Sequence, residues 1–240
     1  ILFSCDAFGG YGALPGAIFD GDCHDIGFYE KESLRYFANI VSKFSKPVLM
    51  AIDKLADIDI DIIAPSHGLI WRKDPGRIIE LYKKWAGYAA GPGEPGVTLL
   101  YGSMYGNTER MMNSVAKGVA DAGIPVEIFD VARTHTSYIL PSVWTKSGVI
   151  IGAPTYEVAL FPAMTQKLEE IAIKRITDKK AAYFGSYGWS GGALKQVEKI
   201  IEPVKWDLLD SFEFQGGPTD EDLKKGEYFG KSFAEELKKG

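Results

Sequence analysis

The chain has 240 residues, 46% hydrophobic and 25% charged, with a net charge of −5 and acids and bases interspersed. This is ordinary globular composition, and it offers no basic patch for nucleic acid and no polybasic stretch for an anionic membrane. No apolar run approaches the roughly 20 residues of a membrane-spanning helix, and two cysteines, Cys5 and Cys23, are too few for a disulfide framework, so a cytoplasmic location is expected.

The first ninety residues do not alternate regularly between strand and helix. Residues 1–5 are an apolar run that reads as a buried strand closing at Asp6. No turn precedes Ile1, so the run reads as mid-strand and the sequence is expected to begin inside a domain. Residues 9–16 are too rich in glycine for regular structure. Residues 29–44 place Leu34, Phe37, Ala38, Ile40 and Val41 near helical spacing, and 47–56 predicts a second helix with Pro47 in its first turn. The β-branched run 60–63 predicts a short strand delivering Pro65-Ser66-His67-Gly68. Asp74-Pro75 caps and starts a helix running to Trp85. Asp6 and His67 thus stand at strand ends, where a carboxylate and an imidazole are common constituents of a metal site, although on these residues alone a helix cap and a surface histidine are the favoured account. His24 falls in a polar loop, and His135 reads as a helix-start residue.

Residues 91–96, Gly91-Pro92-Gly93-Glu94-Pro95-Gly96, read as a linker between domains at 1–90 and 97–240. Beyond it strand and helix alternate. Strands are predicted at 97–101, 125–129, 148–152, 180–185 and 206–215, and helices at 108–122, 137–145, 163–173, 193–201 and 219–238. Five strand–helix units imply an α/β, doubly wound, five-stranded parallel sheet. The strands are continuously apolar, which fits a sheet covered on both faces.

The stretch from Leu99 to Glu109 carries the first functional signal. An apolar run breaks into a loop of small and hydroxyl residues, Gly102-Ser103-Met104-Tyr105-Gly106-Asn107-Thr108, which opens directly into a helix. That is the layout of a phosphate cradle. The loop has no Lys, so it matches neither the P-loop nor the Gly-x-Gly-x-x-Gly pattern; a phosphate held by hydroxyls and N–H groups points to flavin mononucleotide (FMN) rather than a nucleoside triphosphate. In such a sheet the ligand lies beyond the strands' C-terminal ends, where the strand order reverses. Two more of these ends are unusual: Ala153-Pro154-Thr155-Tyr156-Glu157, and Ser186-Tyr187-Gly188-Trp189-Ser190-Gly191-Gly192. Tyr156 and Trp189 can flank a planar ring.

On these residues, 97–240 resembles a complete domain of the flavodoxin family. The resemblance implies one noncovalently bound FMN. Its phosphate would lie at Ser103, Met104, Tyr105, Gly106, Asn107 and Thr108. Its ring would lie between Pro154, Thr155, Tyr156 and Glu157 and the loop of Ser186, Tyr187, Gly188, Trp189 and Gly191. A threonine common in the family is replaced at Met104 or Tyr105, which leaves those positions their N–H groups.

The order of segments extends the resemblance. Ser4-Cys5-Asp6-Ala7-Phe8-Gly9, then Ala64-Pro65-Ser66-His67-Gly68, then a Pro/Gly linker and a flavodoxin-like domain, resembles the flavodiiron proteins (A-type flavoproteins) along the whole chain. This implies that 1–90 is the C-terminal part of a metallo-β-lactamase-like αββα domain with a non-haem di-iron centre. Asp6 matches the carboxylate bridging the two irons (Fe), and His67 matches the last histidine ligand. The implied protein is an oxidoreductase that reduces O2 to water or NO to N2O. Its electrons would come from an external donor, a rubredoxin-like protein or a deazaflavin cofactor. A homodimer or dimer of dimers is implied, with the FMN of one subunit beside the irons of another. The family's other ligands lie upstream, in a His-x-Glu-x-Asp pattern and a further His. None stands here among three histidines, so the missing N-terminal part of the same protein, or a separate chain, is expected to supply them. Two other classes stay open: a flavodoxin-type electron carrier with a structural N-terminal appendage, and a zinc-dependent metallo-hydrolase relative.

Overall fold

A computed structural model describes residues 1–14 and 16–239, and the chain divides into two compact units, Ile1–Gly91 and Pro92–Gly240. In the first, strand β1 (Leu2–Cys5) pairs in parallel with β2 (Ile63–Pro65), with a register shift between Phe3 and Cys5. Helix α1 (Ile26–Tyr36) is capped by Asp25, whose side chain accepts from Phe28 N–H. The single helix expected over 29–44 is not continuous. After Tyr36 the chain widens into a π turn at Phe37–Val41 and tightens into a 3-10 turn at Ser42–Phe44 before α2 (Ser45–Lys54). Hydroxyls drive the break: Ser42 Oγ donates to the Ala38 carbonyl and Ser45 Oγ to the Ser42 carbonyl, competing with the regular ladder.

The strand expected at 60–63 lies instead at Ile63–Pro65, because the pairing partners are there. Ile63 exchanges backbone hydrogen bonds with Trp71 and sits opposite Leu2. Asp74 caps α3 (Pro75–Gly87), accepting from Arg77 N–H. Phe37, Ile63, Trp71, Ile78, Tyr82 and Trp85 form the buried interior. Polar bonds from it fix the glycine-rich loop, with Trp71 Nε1 donating to the Phe8 carbonyl and Tyr82 OH to the Gly9 carbonyl. The carboxylate of buried Asp20 accepts from the backbone N–H of Arg72, Lys73 and Asp74. Burial alone would raise its pKa, but these bonds and one from Gly21 outweigh burial and hold it below the usual value.

The second unit is the expected flavodoxin-like α/β sheet. Its elements are β3 (Glu94–Tyr101), α4 (Asn107–Asp121), β4 (Val126–Asp130), α5 (Thr136–Thr145), β5 (Lys146–Gly152), β6 (Thr155–Tyr156), β7 (Ala159–Leu160), α6 (Pro162–Ile173), β8 (Lys180–Tyr187), α7 (Ala193–Ile201), β9 (Asp207–Gln215) and α8 (Asp220–Lys238). The parallel sheet runs β4-β3-β5-β8-β9. The order therefore reverses between β3 and β5, which places a crevice at the C-terminal ends of those two strands. β3 starts at Glu94, inside the stretch read as linker, because Glu94 pairs with Lys146 across a local irregularity. Buried Lys179 fastens the same junction, donating from Nζ to the carbonyls of Pro92, Trp144 and Lys146. On one face α4 and α8 pack closely: a Cβ at Gly118 would lie 1.9 Å from the Glu227 carbonyl oxygen. Thr219 starts α8 in a capping box with Asp222.

Candidate functional site

At the crevice the first loop is tied by its own side chain, Ser103 Oγ accepting from Gly106 N–H at 3.0 Å. Gly106 turns the chain into α4 with φ +87°, and no side chain caps that helix. The first-turn N–H groups, which have no partner within a helix, therefore face the loop. Asn107 and Gly106 are half-buried, whereas Met104 and Tyr105 are exposed. Sequence reasoning assigned the Thr108 hydroxyl to an anion. It lies buried beneath the loop, bonded to Ser186 Oγ at 3.2 Å, so Thr108 and Ser186 tie α4 to β8.

The second loop holds a feature not foreseen from sequence. Thr155, Tyr156, Glu157 and Val158 belong to a two-stranded hairpin, β6 with β7, whose corner residues Glu157 and Val158 have φ of 48° and 63°. A β-branched residue in the left-handed region is strained. Glu-Val carries none of the Asn-Gly signal that marks such a corner, so no sequence signal could have found it. Pro154 closes the hairpin, its carbonyl accepting from Phe161 N–H. The Thr155 hydroxyl is buried with no hydrogen-bond partner among the described residues.

The third loop leaves β8 at Tyr187, whose carbonyl accepts from Gly216 N–H, and Gln215 Nε2 donates to the Gly188 carbonyl. Trp189 is 100% exposed and Tyr156 47%. No side chain caps α4, α6 or α7, the helices that follow the three loops, while side chains of His135 and Thr219 cap α5 and α8. Uncapped helix starts, an orphan hydroxyl and bare aromatic faces fit a ligand with an anionic end and a planar ring. Below the second and third loops, Tyr183 OH donates to the Ala153 carbonyl at 3.1 Å and to Glu213 Oε1 at 3.4 Å. Burial pushes the Glu213 carboxyl above its usual range, partly offset by that bond.

In the first unit, an open cleft of about 700 Å³ is lined by Asp6, Tyr11, Tyr36, Ser66 and His67 among others. His67 Nε2 lies 3.8 Å from Asp6 Oδ1, both side chains more than half exposed. Left-handed Cys5 (φ 52°) and Phe8 (φ 65°) bracket Asp6. Tyr36 OH donates to Asp6 Oδ1 at 3.1 Å, and burial, that bond and the carboxylate's charge raise the phenol well above its usual range. Tyr36 therefore stays a proton donor to the carboxylate. Two donors do not fit a two-metal centre. Among the described residues no group of three or more His, Cys, Asp or Glu could hold a metal ion. His24 lies in a separate cleft, and His135 caps α5 by accepting from Ser137 N–H.

Known proteins bear on both units. The model of the Flavodoxin family matches residues 99–229. Anaerobic nitric oxide reductase flavorubredoxin of Escherichia coli K12 is 34% identical over 238 residues, covering 98% of this chain and 49% of its own length. Rubredoxin oxygen:oxidoreductase of the anaerobe Desulfovibrio gigas superposes with a TM-score of 0.90 at 26% identity, over 99% of this chain and 59% of that one. A mutant of the flavo di-iron protein of Thermotoga maritima gives 0.81 at 28% identity, over 98% of this chain and 58% of that one. The chain thus spans about half the length of the curated relatives it matches. With a parallel sheet that reverses at β3 and β5, three uncapped loops there and a family match over more than half its residues, the chain belongs to the flavodoxin family.

Proposed function

We propose that this chain is the flavin-bearing, C-terminal portion of a flavodiiron oxidoreductase. One observation carries the reading: the identity to flavorubredoxin runs through both units, not the flavodoxin-like one alone. The whole protein would reduce NO to N2O, O2 to water, or both, using a rubredoxin-like or deazaflavin donor. When bound, FMN would supply a ring that accepts electrons from such a donor and releases them singly.

The roles of this chain's residues follow from their chemistry. Within the 104–108 loop, the N–H groups not bonded to Ser103, together with the Ser103 hydroxyl, hold the phosphate, the helix start of α4 supplying its partial positive charge. Tyr156 and Trp189 offer ring faces, which exclude water from the flavin plane. The Thr155 hydroxyl, lacking a protein partner, gains one at the polar edge of the ring. Asp6 and His67 are offered as one edge of the iron site, with Tyr36 fixing the Asp6 carboxylate; the other ligands come from polypeptide outside these 240 residues. A cytoplasmic homodimer or dimer of dimers, with flavin and irons meeting across subunits, completes the proposal.

Titrating the flavin-free chain with FMN and following quenching of flavin fluorescence tests the first part. One FMN per chain supports it, and no uptake overturns it. Metal content of the longer polypeptide tests the second. Two irons per flavin support it, whereas zinc or no metal favours the hydrolase or the electron carrier.

A further inference from the structure

Tyr183, Gly185 and Glu213 make an arrangement that the phosphate and ring contacts do not use. Tyr183 is fully buried in β8, and its phenol lies along the strand across Gly185. A Cβ at Gly185 would fall 2.0 Å from Tyr183 OH and 2.6 Å from the Ala153 carbonyl oxygen. Only glycine therefore leaves the hydroxyl its path to Ala153, the residue from which the Pro154–Tyr156 loop departs. The same hydroxyl reaches Glu213 Oε1 on β9, directly across from Gly185. The other carboxylate oxygen, Oε2, lies 2.8 Å from where a Cβ of Gly191 would stand, so the carboxylate sits under the third loop.

We infer that Glu213 is a positioning residue that joins the roots of the two loops assigned to the flavin ring, through the Tyr183 hydroxyl on one side and the underside of Gly191 on the other. The inference rests on the proposed flavin site, which it deepens. A carboxylate at this place is also a charge beneath the ring loops. In its anionic form it opposes electron gain by a neighbouring group, so removing the charge would raise the flavin potential. Tyr183 is the group that faces it in the structure.

The test compares Glu213→Ala, Glu213→Gln and Tyr183→Phe. In the flavin-free chain, Glu213→Ala and Tyr183→Phe should speed hydrogen exchange of amides in both 155–160 and 188–192. Glu213→Gln, whose amide oxygen still accepts from Tyr183, should leave exchange near wild type. With FMN bound, affinity should fall about tenfold in Glu213→Ala and Tyr183→Phe, the scale of one lost buried hydrogen bond, and stay within about twofold in Glu213→Gln. Glu213→Gln should also raise the flavin midpoint potential measured well above the carboxyl's titration, the sign expected when a negative charge beneath the ring loops is removed. Unchanged exchange in either loop of Glu213→Ala, failure of Gln to restore it, or a midpoint potential unchanged in Glu213→Gln overturns the inference. Failure of the wild-type chain to take up FMN overturns the flavin site instead, leaving the exchange result to judge the tie.

Discussion

The flavin edge of the second unit and the cleft around Asp6 in the first are both made at the ends of parallel strands, but they are built from different materials. At the proposed flavin edge most groups offered to a ligand are backbone N–H at helix starts, glycines and ring faces, and three adjoining strands of the five, β3, β5 and β8, deliver them. In the first unit the sheet has two strands, and Phe3 on β1 is 78% exposed. The donors there are side chains gathered from separate segments, Asp6 and His67. An anion site made of backbone is as complete as the sheet that presents it. A metal centre, such as the one proposed around Asp6 and His67, needs a full set of chosen side chains, and the described residues gather only these two.

The sharpest way to break the flavin edge without touching it is through the helices behind the sheet. Gly118→Ala would drive a methyl group into the Glu227 carbonyl between α4 and α8. The backbone on both sides is rigid helix, so the expected loss is about 3 kcal/mol, the upper end for overpacking. Denaturant titration should show it, with FMN uptake lost at temperatures the parent tolerates. Gly87→Ala in α3 has open space around it and should instead gain roughly 0.5–1 kcal/mol from helix propensity.

The corresponding break in the first unit is Asp20→Asn. The carboxylate accepts three backbone N–H bonds from the segment that starts α3, and an amide replaces its charge-assisted acceptors with one oxygen and a repelling NH2. About 2 kcal/mol should be lost at neutral pH. The folded pKa lies below the ordinary 3.8, so ionised Asp20 stabilises the fold above that value, and the contribution fades as pH falls through the folded value. Parent and variant should therefore differ by a constant amount above about pH 5 and converge below pH 4. A gap that persists in acid would mean the bonds are not carried by the ionised form.

A smaller effect is expected at the ligand surface. Trp189 is fully exposed, so Trp189→Ala should leave stability unchanged while weakening FMN about tenfold, the worth of one stacking face. Equal affinity and equal flavin potential in the variant would remove Trp189 from the ring site.

These sites differ in how far sequence alone exposes them. The sheet was readable because its central strands β3, β5 and β8 carry long apolar, buried runs, and the helix expected over 219–238 forms at Asp220–Lys238 behind its Thr219 cap. The turn from β3 into α4 was readable for the same reason, because Gly102 to Gly106 break the apolar run before the helix starts at Asn107. The Glu157–Val158 corner was not, since tertiary packing holds those residues in a conformation that their own propensities oppose. Nor was the Tyr183–Glu213 bond, which joins β8 to β9 across thirty residues of intervening chain. Strand 60–63 was misplaced by three residues because a β-branched run states that a strand is possible, while its partners, Leu2 and Trp71, decide where it forms.

The smallest expected effect separates the two sites most cleanly. His67→Ala removes one of the two side-chain donors in the Asp6 cleft, an imidazole more than half exposed. Its carbonyl accepts from Gly10 N–H, a backbone bond that the substitution keeps, so the loss in stability should stay within about 0.5 kcal/mol, the scale of surface changes. FMN affinity should not change, because the proposed phosphate cradle and ring loops are built from residues of the other unit, 102–108, 153–160 and 186–192. In the 240-residue chain, iron or zinc measured against bound flavin should be equally low for parent and variant, as two donors leave a divalent ion mostly to water. Two tightly held metal ions per parent chain, lost in the variant, would show that the cleft gathers a complete ligand set without further polypeptide, and the contrast between a finished flavin edge and a partial metal edge would fall.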